Sequence, residues 1–289
     1  MFNELLSLIT EYAHDGFYNA TEKLNDFILS TDGFMDILTQ IGTIPEAITQ
    51  NSTEEKLFSK VSDAILARAF RELGLKSTIL SARADSADIM AQSDIFGYTL
   101  VADAKAFRLS RTAKNQKDSK IVALSGWRKE ADCAVLCSPY FQYPKIESQI
   151  YAQAVDNNVC LLSWEHLIFM LQHGIKESEE VNLSSLWSFS DIIAQTTVIA
   201  KKKRCFIRDF DTNCLSTIGL SQKKFDDFLL SCINNIKIRG HKEKSYLEVE
   251  RNVILSYSQE QAIKELIKSK NIDGKIRQIN SFIRGISRD

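Results

Sequence analysis

Two short apolar runs constrain this chain more than any other feature: Cys133-Ala134-Val135-Leu136-Cys137 and Val159-Cys160-Leu161-Leu162-Ser163. Both are too short for a helix and rich in Val and Leu, so they read as strands. Between them, residues 146–155 (IESQIYAQAV) place apolar side chains at helical spacing. A strand, a helix and a second strand in that order require a crossover, and a crossover makes the two strands parallel. A sheet with a parallel pair is covered by helices, which points to an α/β fold.

The rest of the chain fits around that unit. Residues 77–81 (STILS), 87–92 (ADIMAQ) and 98–105 (YTLVADAK) have strand character, the last two joined by a short loop containing Gly97. Residues 1–50 read as helices, with Leu5, Leu6, Ile9, Phe17 and Leu24 at helical spacing. Pro45 and the polar stretch 49–53 interrupt them. Ser52-x-x-Glu55 then has the form of a capping box, opening a helix with Leu57, Val61, Ile65 and Phe70 on one stripe and Gly74 at its end. Residues 164–171 continue as a further helix. From about 176 the pattern is amphipathic helix with charged connections, including Lys201 to Arg204. The expected fold is α/β, a small central mixed β-sheet flanked by helices. It comprises a helical N-terminal extension (1–50), a core (51–175) and a helical C-terminal part (176–289), packed as one structural unit.

Composition excludes several classes. The chain has 289 residues and a net charge of −1, so it is no polycation, and a nucleic-acid surface would need local clustering. Its first 18 residues carry Glu4 and Glu11 but no Lys or Arg, unlike a signal peptide. No apolar run approaches the ~18 residues of a spanning helix. Six cysteines and four histidines show no metal-ligand spacing. The cysteines are therefore expected to be buried thiols of a cytoplasmic protein rather than a zinc site.

One stretch does show clustering. After the apolar Leu100-Val101-Ala102 come Asp103 and Lys105, which share a strand face at about 6.6–6.8 Å along the chain. If residues 87–92 and 98–105 pair as a hairpin, Asp88 lies on that face too, although Asp85 is three residues away and either could be the acid. Glu55 could approach from its helix, besides capping it. Two carboxylates beside a lysine can hold a hard cation and orient water for phosphodiester hydrolysis. Residues 101–130 then hold eight Lys or Arg against three Asp or Glu, a local charge of +5. That is a footprint for a phosphate backbone. Asn115, Gln116, Lys117 and Asp118 are residue types that read base edges.

These residues resemble a known family. STEEKLFSKVSDAILARAF (52–70), YTLVADAKAFRLSRTAKNQKD (98–118), ALSGWRKEADCAVL (123–136), YFQYPKIESQI (140–150) and SWEHL (163–167) are similar, in order, to the HindIII restriction endonuclease family. KIRQINSFIRGI (275–286) extends the likeness. The resemblance implies the core of the PD-(D/E)xK nucleases and a Mg²⁺-dependent type II enzyme cutting both strands of double-stranded DNA, with AAGCTT as the expected site and 5′-phosphates as products. It implies a homodimer paired with a cognate methyltransferase and needing no membrane. Asp103 and Lys105 match the acid and lysine of the D-x-K element. Asp88 matches the first acid, with Ala87 where the nominal pair has proline. Metal would then sit on Asp88 and Asp103. Asn115, Lys117 and Asp118 would read bases, while Arg108, Arg111 and Lys114 would contact phosphates. A structure-selective repair nuclease and a non-catalytic DNA-binding protein are the competing readings. A plasmid carrying one AAGCTT separates the three.

Overall fold

The protein is described by a computed structural model covering residues 1–80, 86–111, 119–145, 148–196 and 206–286. Its centre is a five-stranded sheet in the order β1 (Lys76–Ile79), β2 (Ile89–Gln92), β3 (Thr99–Ala104), β4 (Cys133–Ser138) and β5 (Val159–Ser163). β1, β2 and β3 pair antiparallel; β3, β4 and β5 pair parallel. The sheet is therefore mixed, as the strand–helix–strand pattern predicts. Every residue of β4 and β5 is buried, which explains why both runs are continuously apolar instead of alternating.

Helices α1 (Phe2–Tyr12), α2 (Phe17–Ser30), α3 (Phe34–Leu38) and α4 (Thr53–Glu72) precede the sheet. α5 (Ile121–Trp127), α6 (Gln149–Asp156) and α7 (Trp164–Gln172) accompany its parallel half. α6 is the crossover between β4 and β5. α8 (Ser184–Trp187), α9 (Phe189–Thr196), α10 (Phe206–Ile218), α11 (Gln222–Leu255), α12 (Gln259–Ser269) and α13 (Ile272–Ile286) follow.

α4 is the organising helix. Ser52 Oγ accepts from Glu55 N at 3.2 Å, and the Glu55 carboxylate accepts from Asn51 N at 2.7 Å, so two donors at the helix start are satisfied. Gly74, at φ +95°, ends the segment in a conformation that a side chain would strain. α4 packs across β1, β2 and β3 and also receives α1 and α2. Covered on two sides, it is buried continuously from Val61 to Ala67. Residues 1–50 are thus a layer over α4 rather than an appendage. Ala20, Leu24 and Ile28 form the inward stripe of α2, and Phe17 stays exposed.

By contact density the chain divides into two units, Met1–Lys237 and Ile238–Asp289. The division falls inside α11. In the second unit, α13 carries Ile272, Ile276, Ile279 and Ile283 on one stripe, all exposed. No helix among the described residues is long and apolar enough to cross a membrane.

Cys133, Cys137, Cys160 and Cys214 are buried and unbridged, and Cys205 lies outside the described residues. Burial pushes Cys133 up to about 11 and Cys214 up to about 12. Thiols held protonated in this way react slowly. In the native protein at pH 8 these four should resist a maleimide that labels all six cysteines in denaturant. Fast native labelling of Cys137 or Cys160, located by mass spectrometry, would contradict the packing.

Candidate active site

The β2–β3 register sets the first two acids. Ile89 faces Ala102, so Asp88, one residue before β2, extends the pairing towards Asp103. The third acid comes from α4: oxygens of Asp63, Asp88 and Asp103 all lie within 4.8 Å of one another. Asp63 and Asp103 are each 2% exposed, whereas Asp88 is partly open. Asp63 lies where α4 crosses the sheet, so helix packing delivers its carboxylate to the end of β3.

Two ammonium groups face these acids. Lys105 Nζ is 2.5 Å from Asp103 Oδ2, and Lys60 Nζ is 2.5 Å from Asp88 Oδ1 and 3.4 Å from Asp63 Oδ2. Asp103 Oδ2 is nonetheless buried without an aligned hydrogen bond. Burial, with Asp88 adding repulsion, raises Asp63 well above the ordinary carboxylate range, and Lys60 offsets this only in part. Burial also raises Asp103, against the pull of Lys105. Burial pulls Lys60 down, but Asp63 and Asp88 overcome it and leave the amine raised. Three converging carboxylates, two of them almost wholly buried, are a donor set that fits a hard divalent cation.

The backbone of Lys105 is pinned from two sides. Its N–H donates to Cys137 O at 2.8 Å, and its carbonyl accepts from Trp164 Nε1 at 2.9 Å. Gly42 lies against that indole, and a Cβ there would come 2.9 Å from Trp164 Cδ1. Phe107 then bridges Thr43, and Arg108 turns inward.

Arg108 is 7% exposed and donates to Pro45 O, Ile48 O and Glu55 Oε1 at 2.6–2.8 Å. It is an anchor for the loop before α4. Glu55 is its partner and is not among the three clustered acids. Arg111 stacks over the Phe107 ring at 3.7 Å. Lys114, Asn115, Gln116, Lys117 and Asp118, like Asp85, lie outside the described residues.

Sequence reasoning passed over Asp63 and Lys60. The available signal was an acid directly before Ala64-Ile65-Leu66-Ala67, a helix run with no polar face, where a charge needs a reason to be buried. Another polar line, Ser163–His166–Asp211, has distances of 2.7 and 2.8 Å. Ser163 is fully buried and caps α7, so no substrate reaches it; the line ties α10 to α7.

A mixed sheet flanked by helices carries Asp-x-Lys at the end of its central strand with two acids converging on it, and the likeness in sequence places the molecule among the restriction endonucleases. Within that class, the chain belongs to the HindIII restriction endonuclease family, whose sequence model matches residues 2–283. It is similar to the type II restriction enzyme HindIII of Haemophilus influenzae, 43% identical over 285 residues, covering 98% of this chain and 95% of that one. Among solved structures it is similar to restriction endonuclease FokI, with 14% identity and a TM-score of 0.36 over 57% of this chain and 32% of that chain. The DNA-bound FokI structure gives 17% and 0.31 over the same shares.

Asp63 and Asp103 have raised pKa values in the folded state. The stability they contribute is full below the unfolded carboxylate pKa and is lost as pH rises through the folded values. Asp63→Asn should therefore stabilise the metal-free protein at pH 7. It should also flatten the decline of stability above acidic pH, measured by urea unfolding in EDTA. A less stable variant would show that Lys60 outweighs the burial. Arg108→Ala should cost roughly 3 kcal/mol, since it strands Glu55 and two carbonyls. A neutral result in the same assay would remove the anchor role.

Proposed function

We propose that the protein is a Mg²⁺-dependent type II restriction endonuclease that hydrolyses both strands of AAGCTT, leaves 5′-phosphates and acts as a homodimer. The observation carrying this reading is the convergence of Asp63, Asp88 and Asp103 beside Lys105 in a chain of the HindIII family. Asp63, Asp88 and Asp103 would hold the metal. Bound there, Mg²⁺ would polarise a phosphoryl oxygen and acidify a water.

The chain's own residues supply orientation. Lys105, its backbone fixed by Cys137 and Trp164, aims its ammonium at the attacking water and a phosphate oxygen. Water adds to phosphorus in line with the P–O3′ bond, that bond breaks, and the phosphate stays on the 5′ side. Asp103 lies in β3 and Asp88 directly precedes its neighbour β2, so the pairing of the two strands helps to set their separation.

The segment after β3 is proposed to engage DNA. Arg111 and Lys114 contact phosphates, and Asn115, Lys117 and Asp118 read base edges. Arg108 serves this segment by holding its root. A two-fold dimer presents the set twice, matching a palindrome. Such an enzyme works in the cytoplasm beside a methyltransferase that protects the host's sites.

A plasmid with one AAGCTT should give a single cut in Mg²⁺. Scattered cuts or none would reject site-specific hydrolysis. Asp103→Asn, Lys105→Ala and Asp88→Ala should each lower the rate by several orders of magnitude while leaving specific binding in Ca²⁺ largely intact. Near-wild-type turnover in any of them would sink its assignment. Asn115→Ala and Asp118→Ala should each cost about 1–3 kcal/mol of discrimination at one base pair. Equal weakening on every single-base variant of AAGCTT would reduce the segment to an electrostatic clamp.

A further inference from the structure

Lys60 has no part in the hydrolysis outlined above, yet it is built into the same cluster. It stands one turn before Asp63 on α4, and its Nζ touches Asp88 at 2.5 Å and Asp63 at 3.4 Å. Those are two of the three carboxylates that would receive the cation. A divalent ion drawn to those carboxylates would repel the ammonium beside them, because like charges a few ångströms apart repel. The two lysines also differ. Lys105 is 18% exposed on a backbone held from both sides, whereas Lys60 is 35% exposed on a flexible stem that can swing outward without opening the core.

We propose that Lys60 is a displaceable counter-ion, which neutralises Asp63 and Asp88 in the metal-free enzyme and leaves them when a divalent cation binds. This rests on the reading that the cluster is a cation site. Three carboxylates and two ammonium groups give the empty cluster a formal charge of −1 instead of the −3 of the acids alone. Lys60 thereby keeps the mutually repelling acids together before metal arrives. The same contact sets the affinity of the free enzyme for metal, since each ion must expel an amine already in place.

The test is Ca²⁺ binding to the DNA-free full-length protein by calorimetry, with melting measured in parallel. Lys60→Gln should bind Ca²⁺ ~10-fold or more tightly than wild type, as expected for removing a unit positive charge beside a divalent ion. Its metal-free form should melt lower and recover with Ca²⁺, and Lys60→Arg should keep the weak affinity of wild type. A folded Lys60→Gln that binds Ca²⁺ no more tightly than wild type would overturn the proposal. A second measurement needs no variant: acetylation of Lys60 in the wild-type protein, followed by mass spectrometry, should speed up several-fold on Ca²⁺ saturation. No change in Lys60 reactivity at saturation would equally overturn it. Asp103→Asn separates the two levels of the reading. If wild type binds no Ca²⁺ that this substitution abolishes, the cation site itself falls and the counter-ion role falls with it. If such binding is present but indifferent to Lys60, only the counter-ion role falls.

Discussion

Three carboxylates crowded at the end of β3 repel one another and resist burial, and much of the molecule is arranged to hold them there. Asp63 and Asp103 are almost wholly removed from water, and burial pushes both towards protonation. Left to itself such a cluster would spread or bind protons. It is confined by a buried parallel pair on one side of β3 and by α4, which brings Asp63 in across the sheet. The apolar core contributes to this site as scaffold: β4 and β5 are buried at every position and leave β3 no room to shift. Strain of this kind, offset elsewhere in the fold, is what a preorganised site requires.

α4 links the two halves of that arrangement. Its N-terminus is capped by Ser52 and Glu55, and the same Glu55 pairs with Arg108. Two turns later it supplies Lys60 and Asp63. The helix that positions an acid in the cluster is therefore tied at its start to the segment that leaves β3. Between them α4 is buried at every position from Val61 to Ala67.

The sequence makes the fold largely legible because periodicity reports burial directly. The two apolar runs imply the parallel pair, and the β2–β3 hairpin brings Asp88 towards Asp103 as strand alternation requires. The capping box and Gly74 mark the ends of α4 closely. Three things were not legible. Asp63 stands before a helix run with no polar face, which marks it as buried, but nothing local tells that packing of α4 on the sheet brings it to Asp88 and Asp103. Arg108 has the composition of a phosphate clamp, but its guanidinium is taken up by Pro45, Ile48 and Glu55, contacts separated by more than 50 residues in sequence. The division inside α11 is a third case, because a continuous helix carries no local mark where its tertiary contacts end.

The path from Asp103 to Arg111 is fixed at successive points. Asp103 lies in the sheet between β2 and β4; Lys105 is held by Cys137 and Trp164; Phe107 bridges Thr43; Arg108 is buried among carbonyls and Glu55; and Arg111 rests on the Phe107 ring. A chain held this often has few backbone torsions left to vary. The backbone from Asp103 to Arg111 is thus held by sheet pairing, hydrogen bonds and packing along its length. Arg108 contributes to that path as a buried anchor. Its bonds to Pro45, Ile48 and Glu55 tie the segment that leaves β3 to the loop before α4, so the strand carrying Asp103 and the helix carrying Asp63 are joined at a second point beyond the sheet.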